Sequence, residues 1–528
     1  MNPPSPSTTP TPRRRGRPWF PIVTLALGAV GIAWIRNQAE LERNFQSWLL
    51  TLVPLLVVLL NVGWFFLSPR FNRNTRLVGL LGLLVLATAA RLGLRVDGTV
   101  NGTGLPRFTW RWSDSTPHVL PASATPPPAS PTAAAANLLA LAVDSPQFLG
   151  PARTGIHPDP GLSTNWSTTP PRELWRRPVG IGWSAFGVVK DRAITQEQRG
   201  DAEVVACYDL LTGIPVWEHS DTTRFSEWQG GDGPRATPTV QDGRVYTFGA
   251  TGLLNCLDAL TGKPLWHRSV LSEHNLGTNE WACSASPLLS DNLVIVTGGR
   301  GPGPVLFAYD RRTGEPAWKT GNDSASYASP ILTTLAGRRV ILSGNARSLL
   351  AVSPSTGKIL LEHDWGSAKW PKASQPVVLD DNRIFVSAGY GMGCQMIRVR
   401  ANADGSLASE TQWKGVSMKT QFNNVAALEG HLYGLDDGLL ACVNADTGKR
   451  AWKDGRFGSG QSLVVGSLLL VQNERGSVHL CSATSDAFRE FGSIPALSSK
   501  TWNQPTLAGR FLLVRNDREA ACYELPGK

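Results

Sequence analysis

A chain of 528 residues with 42% hydrophobic residues, 53 glycines and 38 prolines has room for several domains and is composed like a globular protein with some added apolar content. Its net charge of +10 is carried entirely before residue 113, where thirteen arginines, no lysine and three acids (Glu40, Glu42, Asp97) occur, so the remainder is neutral. No nucleic-acid partner is expected: the charge flanks apolar segments instead of coating a folded domain.

Residues 1–18 read as a disordered, basic cytoplasmic tail, Pro/Ser/Thr-rich and ending in the cluster Arg13-Arg14-Arg15-Gly16-Arg17. A transmembrane domain is predicted over 19–96, with spans at about 19–35, 48–67 and 77–94. With three crossings, the N-terminal arginines and the Arg70, Arg73, Arg76 loop share one side. The positive-inside rule makes that side the cytoplasm, so everything after the third span is extracytoplasmic. Arg91, near the end of that span, can snorkel to the interface. Residues 97–143 form a juxtamembrane segment and linker: Arg107-Phe108-Thr109-Trp110-Arg111-Trp112 mixes cations and aromatics suited to the headgroup level, and a Pro/Ala/Ser-rich tether follows.

From 144 to 528 the chain repeats itself. Cys207-Tyr208-Asp209, Thr212-Gly213 and Trp217 recur as Cys256-Leu257-Asp258, Thr261-Gly262 and Trp266, as Ala308-Tyr309-Asp310, Thr313-Gly314 and Trp318, and as Cys442-Val443-Asn444, Thr447-Gly448 and Trp452. Weaker copies end at Leu361, Trp413, Phe491 and Cys522-Tyr523-Glu524, for eight in all. Between them run short β-type segments such as Leu293-Val294-Ile295-Val296 and Arg383-Ile384-Phe385-Val386. A period of roughly 40 to 50 residues built from such strands is a propeller signature. The expected fold is therefore all-β, an eight-bladed β-propeller preceded by an α-helical membrane domain of about three helices.

The Asp-x-x-Thr-Gly-x-x-x-Trp repeat resembles the tryptophan-docking motif of pyrroloquinoline-quinone-type eight-bladed propellers, which include quinoprotein dehydrogenases and the cofactor-free outer-membrane-assembly lipoprotein. Gln147-Phe148-Leu149-Gly150-Pro151-Ala152-Arg153-Thr154-Gly155 and Gly233-Pro234-Arg235-Ala236-Thr237-Pro238 resemble a membrane-anchored subset of that family. Trp175, Trp217, Trp266, Trp318, Trp413 and Trp452 take the docking role between blades. Glu173-Leu174-Trp175 is a tryptophan strand without a repeat before it, and the last copy has none after it. Joining the two closes the ring and removes both edges.

Five of the seven cysteines (Cys207, Cys256, Cys442, Cys481, Cys522) share one repeat position with Ala308 and Ala351, which marks them as packing residues. Neither haem nor zinc spacing is present, and no metal is assigned; Asp232 and Glu280 are the acids nearest to a candidate cation site.

The loops leading into the innermost strands converge on one face, the default ligand site of such a ring. They place Trp183, Arg235, Trp281, Tyr327, Lys372, Phe422 and Trp502 around a mouth. Aromatics with two cations suit an anionic, planar or extended ligand, and equally suit a plug that caps the core. Two functions stand. The favoured one is a non-enzymatic binding or scaffold module, without cofactor, for a protein, peptide or envelope polymer. It would be held at a bacterial inner membrane with the propeller in the periplasm. The alternative, which the resemblance implies, is a dehydrogenase of alcohols or sugars using pyrroloquinoline quinone and Ca²⁺ and feeding membrane quinone.

Overall fold

The computed structural model describes residues 19–38, 41–99, 104–112 and 133–528, so the tail 1–18 and most of the tether lie outside the described residues. The chain divides into two units, Met1–Ser115 and Thr116–Lys528.

In the first unit, α1 (Phe20–Arg36), α2 (Arg43–Leu67) and α3 (Arg73–Gly93) follow the three apolar segments. Among the described residues, α2 and α3 are long and apolar enough to cross a membrane, whereas α1 is apolar but only 17 residues long. Gly28 lets α1 approach Val57 of α2, and the pair is pinned where Asn61 Nδ2 donates to Thr24 Oγ1 at 2.9 Å. Asn72 caps α3 by accepting from Thr75 N at 2.8 Å. Directly after α3 the chain folds into a hairpin of β1 (Leu94–Thr99) and β2 (Pro106–Trp110).

The second unit opens with α4 (Ala133–Leu139) and continues into eight antiparallel four-stranded sheets, the blades of a closed propeller. Blade 1 spans 187–221, blade 2 239–269, blade 3 288–320, blade 4 331–364, blade 5 377–415, blade 6 426–454 and blade 7 461–494. Blade 8 takes three strands from 506–524 and its outermost from the start of the unit: β4 (Arg172–Pro178) pairs with Glu519–Glu524, Trp175 opposite Cys522. The expected closure is thus observed, over a longer strand than the tryptophan alone marks. A second early segment, β3 (Ile156–His157), lies parallel to the innermost strand of blade 7.

Blades stack face to face, so both sides of each sheet are covered and the middle strands read as unbroken apolar runs. Core layers therefore lie between neighbours: Ile194, Val205, Cys207 and Trp217 of blade 1 meet Val240, Val245 and Leu257 of blade 2. All seven cysteines are buried free thiols.

The repeat signature makes one device. Asp209 Oδ1 accepts from Thr212 N at 2.9 Å and Thr212 Oγ1 at 2.7 Å, and Asp258 and Asp310 do the same in their own turns. Gly213, at φ +67°, completes the turn and leaves room for the preceding blade's indole: a Cβ there would lie 2.5 Å from Trp175. That indole donates its Nε1–H to Leu210 O at 2.8 Å. Trp217 reaches Ala259 O (3.0 Å), Trp266 Arg311 O (3.2 Å), Trp318 Pro354 O (3.1 Å), Trp413 Ala445 O (2.9 Å) and Trp452 Thr484 O (2.8 Å). Each tryptophan both seals a core layer and fixes the angle to the next blade.

The tether does not stop at residue 143 as an extended strap. Leu138, Leu139, Leu141 and Ala142 pack on the layer between blades 8 and 1, and Arg510 N donates to Leu141 O at 3.2 Å. An alanine-rich run is a good helix former, and here its leucines supply the docking stripe.

Candidate functional site

On one face of the ring the chain crosses from the outer strand of each blade to the inner strand of the next. The first residues of an inner strand carry amides that their own sheet leaves unpaired, and small polar side chains from the neighbouring blade take them. Thus Thr237 N donates to Ser286 Oγ and Ser286 N to Ser329 Oγ, each at 2.9 Å, and Gln375 N donates to Asn424 Oδ1 at 2.9 Å. Pro238, Pro287, Pro330, Pro376 and Pro505 follow the linking residues and present no amide at all. This polar belt is the frame of the mouth.

The side chains singled out in sequence form one arc above the belt. Phe422 packs on Trp502 and Trp502 on Trp183, with ring centroids 4.9 and 5.0 Å apart. Trp183 Nε1–H donates to Gly230 O at 2.8 Å. The Gly230-Gly231 backbone is wedged between indoles: added Cβ atoms would lie 3.1 Å from Trp281 and 3.2 Å from Trp183. Trp281 continues to Tyr327 at 5.5 Å, and Tyr327 N donates to Lys372 O at 3.1 Å. Trp183 and Trp502 are buried, whereas Trp281, Tyr327 and Phe422 remain partly exposed.

Both cations of this set are turned into the wall. Arg235 donates to Gly233 O (2.6 Å) and Gly231 O (2.7 Å) and lies over the Phe225 ring at 5.0 Å. Burial lowers its pKa to about 10. Lys372 is fully buried, its Nζ donating to Ala346 O and, at 2.8 Å, to Ser367 O beside the Trp365 ring; burial pulls its ammonium down to about 8. A cation that does lie against the mouth indoles is Lys500, whose Nζ sits 4.8 Å from the Trp183 ring and 4.1 Å from that of Trp502. Its position two residues before Trp502 is the only sequence signal it gives.

Four acids of this face are committed as well. Asp232 accepts from Ser226 Oγ at 2.8 Å and Arg224 NH2 at 2.9 Å, Glu227 from Gln229 N at 3.0 Å, and Glu474 from Trp502 Nε1 at 2.9 Å. Glu203 accepts from Ala250 N at 3.0 Å, and burial raises its carboxyl to about 7. Glu280 is exposed. Among the described residues no group of three or more His, Cys, Asp or Glu side chains is placed to hold a metal ion. Ca²⁺ under a quinone needs several free oxygen donors converging on one point. Apart from the exposed Glu280, the carboxylates here are spread over separate loops and bonded to amides, an indole and a guanidinium, so the residues present do not fit that pair.

Below the mouth lies a feature that sequence reasoning missed. Gln147–Gly155 turns back on itself inside the ring, with Gly155 N donating to Leu149 O at 3.0 Å, and Ile156 and His157 then run alongside Val464 and Val465. At its tip Arg153, 2% exposed, donates to Pro287 O (2.9 Å), Ser286 O (3.1 Å) and Gln147 Oε1 (3.1 Å), while Gln375 Nε2 donates to Arg153 O at 2.6 Å. These oxygens are all neutral, and burial lowers the guanidinium pKa. The segment bridges blades 3, 5 and 7 and plugs the channel beneath the aromatic arc. It was legible as a motif, but lying outside the repeat it offered no register to place it.

Residues 201–454, from blade 1 through blade 6, match the family model described as outer membrane protein assembly factor BamB. No curated protein matches the chain. Among solved structures, BamB from Moraxella catarrhalis is 16% identical with a TM-score of 0.51, over 67% of this chain and 100% of that one. A europium-containing methanol dehydrogenase is 13% identical with a TM-score of 0.51, over 71% and 89%. The quinohemoprotein alcohol dehydrogenase from Comamonas testosteroni is 13% identical with a TM-score of 0.54, over 73% and 81%. At these identities the structural likenesses establish the eight-bladed fold and leave the activity open.

Proposed function

We propose that this chain is a membrane-anchored propeller that works outside the cytoplasm as a non-enzymatic binding or scaffold module for a protein, peptide or envelope polymer. The match of 201–454 to an assembly-factor family supports that reading, and the apolar helices α2 and α3 support the anchor. The observation that carries it is the closed floor of the mouth: Trp183 and Trp502 pack together and are buried, with the Arg153 segment filling the channel beneath them. What the face offers instead is a broad rim. Trp228 is 60% exposed, and Trp370, 38% exposed, stacks on Tyr390 at 5.6 Å. Rigid aromatics around a shallow surface suit an extended partner more than a buried substrate.

The linker helix α4 docks beside Gly509, in the turn between the first two strands of blade 8, on the opposite face. Residues 138–142 therefore leave the mouth uncovered. Arginine placement in the sequence supports a cytoplasmic N-terminus and an extracytoplasmic propeller, which we assign to a bacterial inner membrane and its periplasm. The dehydrogenase reading draws on the fold alone.

Two measurements test the proposal on the full chain in its membrane. A photo-cross-linking side chain at Trp281 should give one discrete adduct, and the same group at Leu260 on the opposite face should give none; equal labelling from both faces would count against a mouth-side partner. Calorimetric titration with pyrroloquinoline quinone and Ca²⁺ should show no heat. Stoichiometric binding lost on Trp502→Ala would replace the proposal with the dehydrogenase.

A further inference from the structure

The hairpin of β1 and β2 is built inside-out for water. Pairing of Leu94 with Trp110 and Val96 with Phe108 gathers these four side chains on one face, because residues two apart share a side of a strand. Leu94 is half-buried, and the rest of that face is exposed: Val96 is 56%, Phe108 59% and Trp110 54% accessible, and Trp112, stacked on Trp110 at 5.2 Å, is 71% accessible. Along β2 the covered positions are Arg107 and Thr109. Arg95, also half-covered, donates from Nε to Thr109 Oγ1 at 3.4 Å, and Arg111 donates from Nε to Leu94 O at 3.1 Å. A two-stranded ribbon is marginal in water even with its apolar side covered. This one presents four large apolar side chains outward and backs them with Arg95, Arg107 and Arg111.

The hairpin also has no freedom to leave the end of α3. Gly93 ends the helix and Leu94 starts the strand, and Arg111 N donates to Gly93 O at 2.8 Å. If α3 crosses a bilayer, the ribbon emerges at its surface, and at ~3.3 Å per residue it reaches only about 20 Å from the helix end.

We infer that the β1–β2 hairpin lies flat on the extracytoplasmic leaflet, its Val96, Phe108, Trp110 and Trp112 face seated in the interface and its arginines engaging anionic lipid headgroups. This rests on the membrane anchoring proposed above. Tryptophan and phenylalanine are favoured at that depth, and guanidinium groups pair with phosphate oxygens through their forked donors. Opposite charge thus holds the ribbon from above while apolar burial holds it from below. It would fix the first residues of the tether against the membrane.

The test uses the full-length protein in nanodiscs of phosphatidylcholine, with or without phosphatidylglycerol. Because the seven native cysteines are buried, single added cysteines can be labelled selectively with an environment-sensitive fluorophore. A label at Phe108→Cys should be quenched several-fold more by a shallow acyl-chain nitroxide than by aqueous iodide, and one at Thr109→Cys should show the reverse preference. Phosphatidylglycerol should deepen the quenching at Phe108→Cys, and combining that change with R95Q, R107Q and R111Q should abolish the increment. Leu56→Cys, midway along α2, reports the anchoring separately through a deep nitroxide. If Leu56→Cys is quenched while Phe108→Cys stays open to iodide, or is shielded from both quenchers by protein, the hairpin inference is overturned and the anchor survives. If Leu56→Cys is open to iodide, both fall. Indifference to phosphatidylglycerol overturns the assignment to anionic headgroups.

Discussion

Trp175 stands opposite Cys522 in the ladder that closes the ring, and its indole reaches forward to donate to Leu210 O in blade 1. One side chain thus joins the first tryptophan strand, the last repeat and the first full blade. Trp175→Ala should remove about 3–5 kcal/mol of stability, as for other buried aromatics, and lower the midpoint of chemical unfolding. The same change at the half-buried Trp318 should cost less, because no chain closure depends on it.

Two glycines separate conformational strain from crowding. Gly430 and Gly448 have φ of +74° and +68°, but a Cβ at Gly430 meets nothing within 4 Å, whereas one at Gly448 lies 2.6 Å from the Trp413 ring. Gly430→Ala should cost about 1 kcal/mol, from the positive φ alone. Gly448→Ala adds overpacking and should lose a further ~1–3 kcal/mol, with the difference read by thermal unfolding of the two variants.

Glu203 gives the propeller a pH dependence of known sign. Its folded pKa is raised from 4.5 to about 7, so between those values the folded state holds a proton that the unfolded state has released. Stability is full below about pH 4.5 and falls as pH rises to about 7, by about 3 kcal/mol in all. Glu203→Gln keeps an acceptor for Ala250 N and should flatten that slope, exceeding the wild type above pH 7 in thermal melts across the range.

Arg153 is predicted to hold the channel plug. Arg153→Met retains much of the stem but removes the donor to Ser286 O and leaves Pro287 O with Thr239 Oγ1 alone. A loss of about 2–3 kcal/mol is expected. Amide exchange should rise first in 147–157, ahead of the blades. Uniform acceleration around the ring would contradict a local plug.

The repeat made the blades and their indoles legible, since a turn that must be rebuilt in every unit recurs at constant spacing. Closure was legible for the same reason, from a surplus tryptophan strand at Trp175 and a deficit after Cys522. The mouth was only half readable. Register located Trp183, Trp502 and Phe422, but a long side chain such as Lys372 can curl back to carbonyls in its own wall, and nothing local in the sequence records that choice. Lys500 and Glu474, which brace the indoles, and Arg153, which comes from before the first blade, occupy no repeating position. The docking leucines of α4 were masked by the composition around them.

The closing ladder also sets an order of assembly. Strand β4 leaves the ribosome near the start of the propeller, while its partner, Glu519–Glu524, is made only after the seven other blades. Throughout synthesis of the intervening blades the nascent chain carries an unmated strand, and blade 8 cannot exist until residue 524 is available. A product cut short by even one blade keeps two raw sheet edges, inviting proteolysis or pairing with a second chain. Synthesis of Glu519–Glu524 is thereby the event that seals the ring.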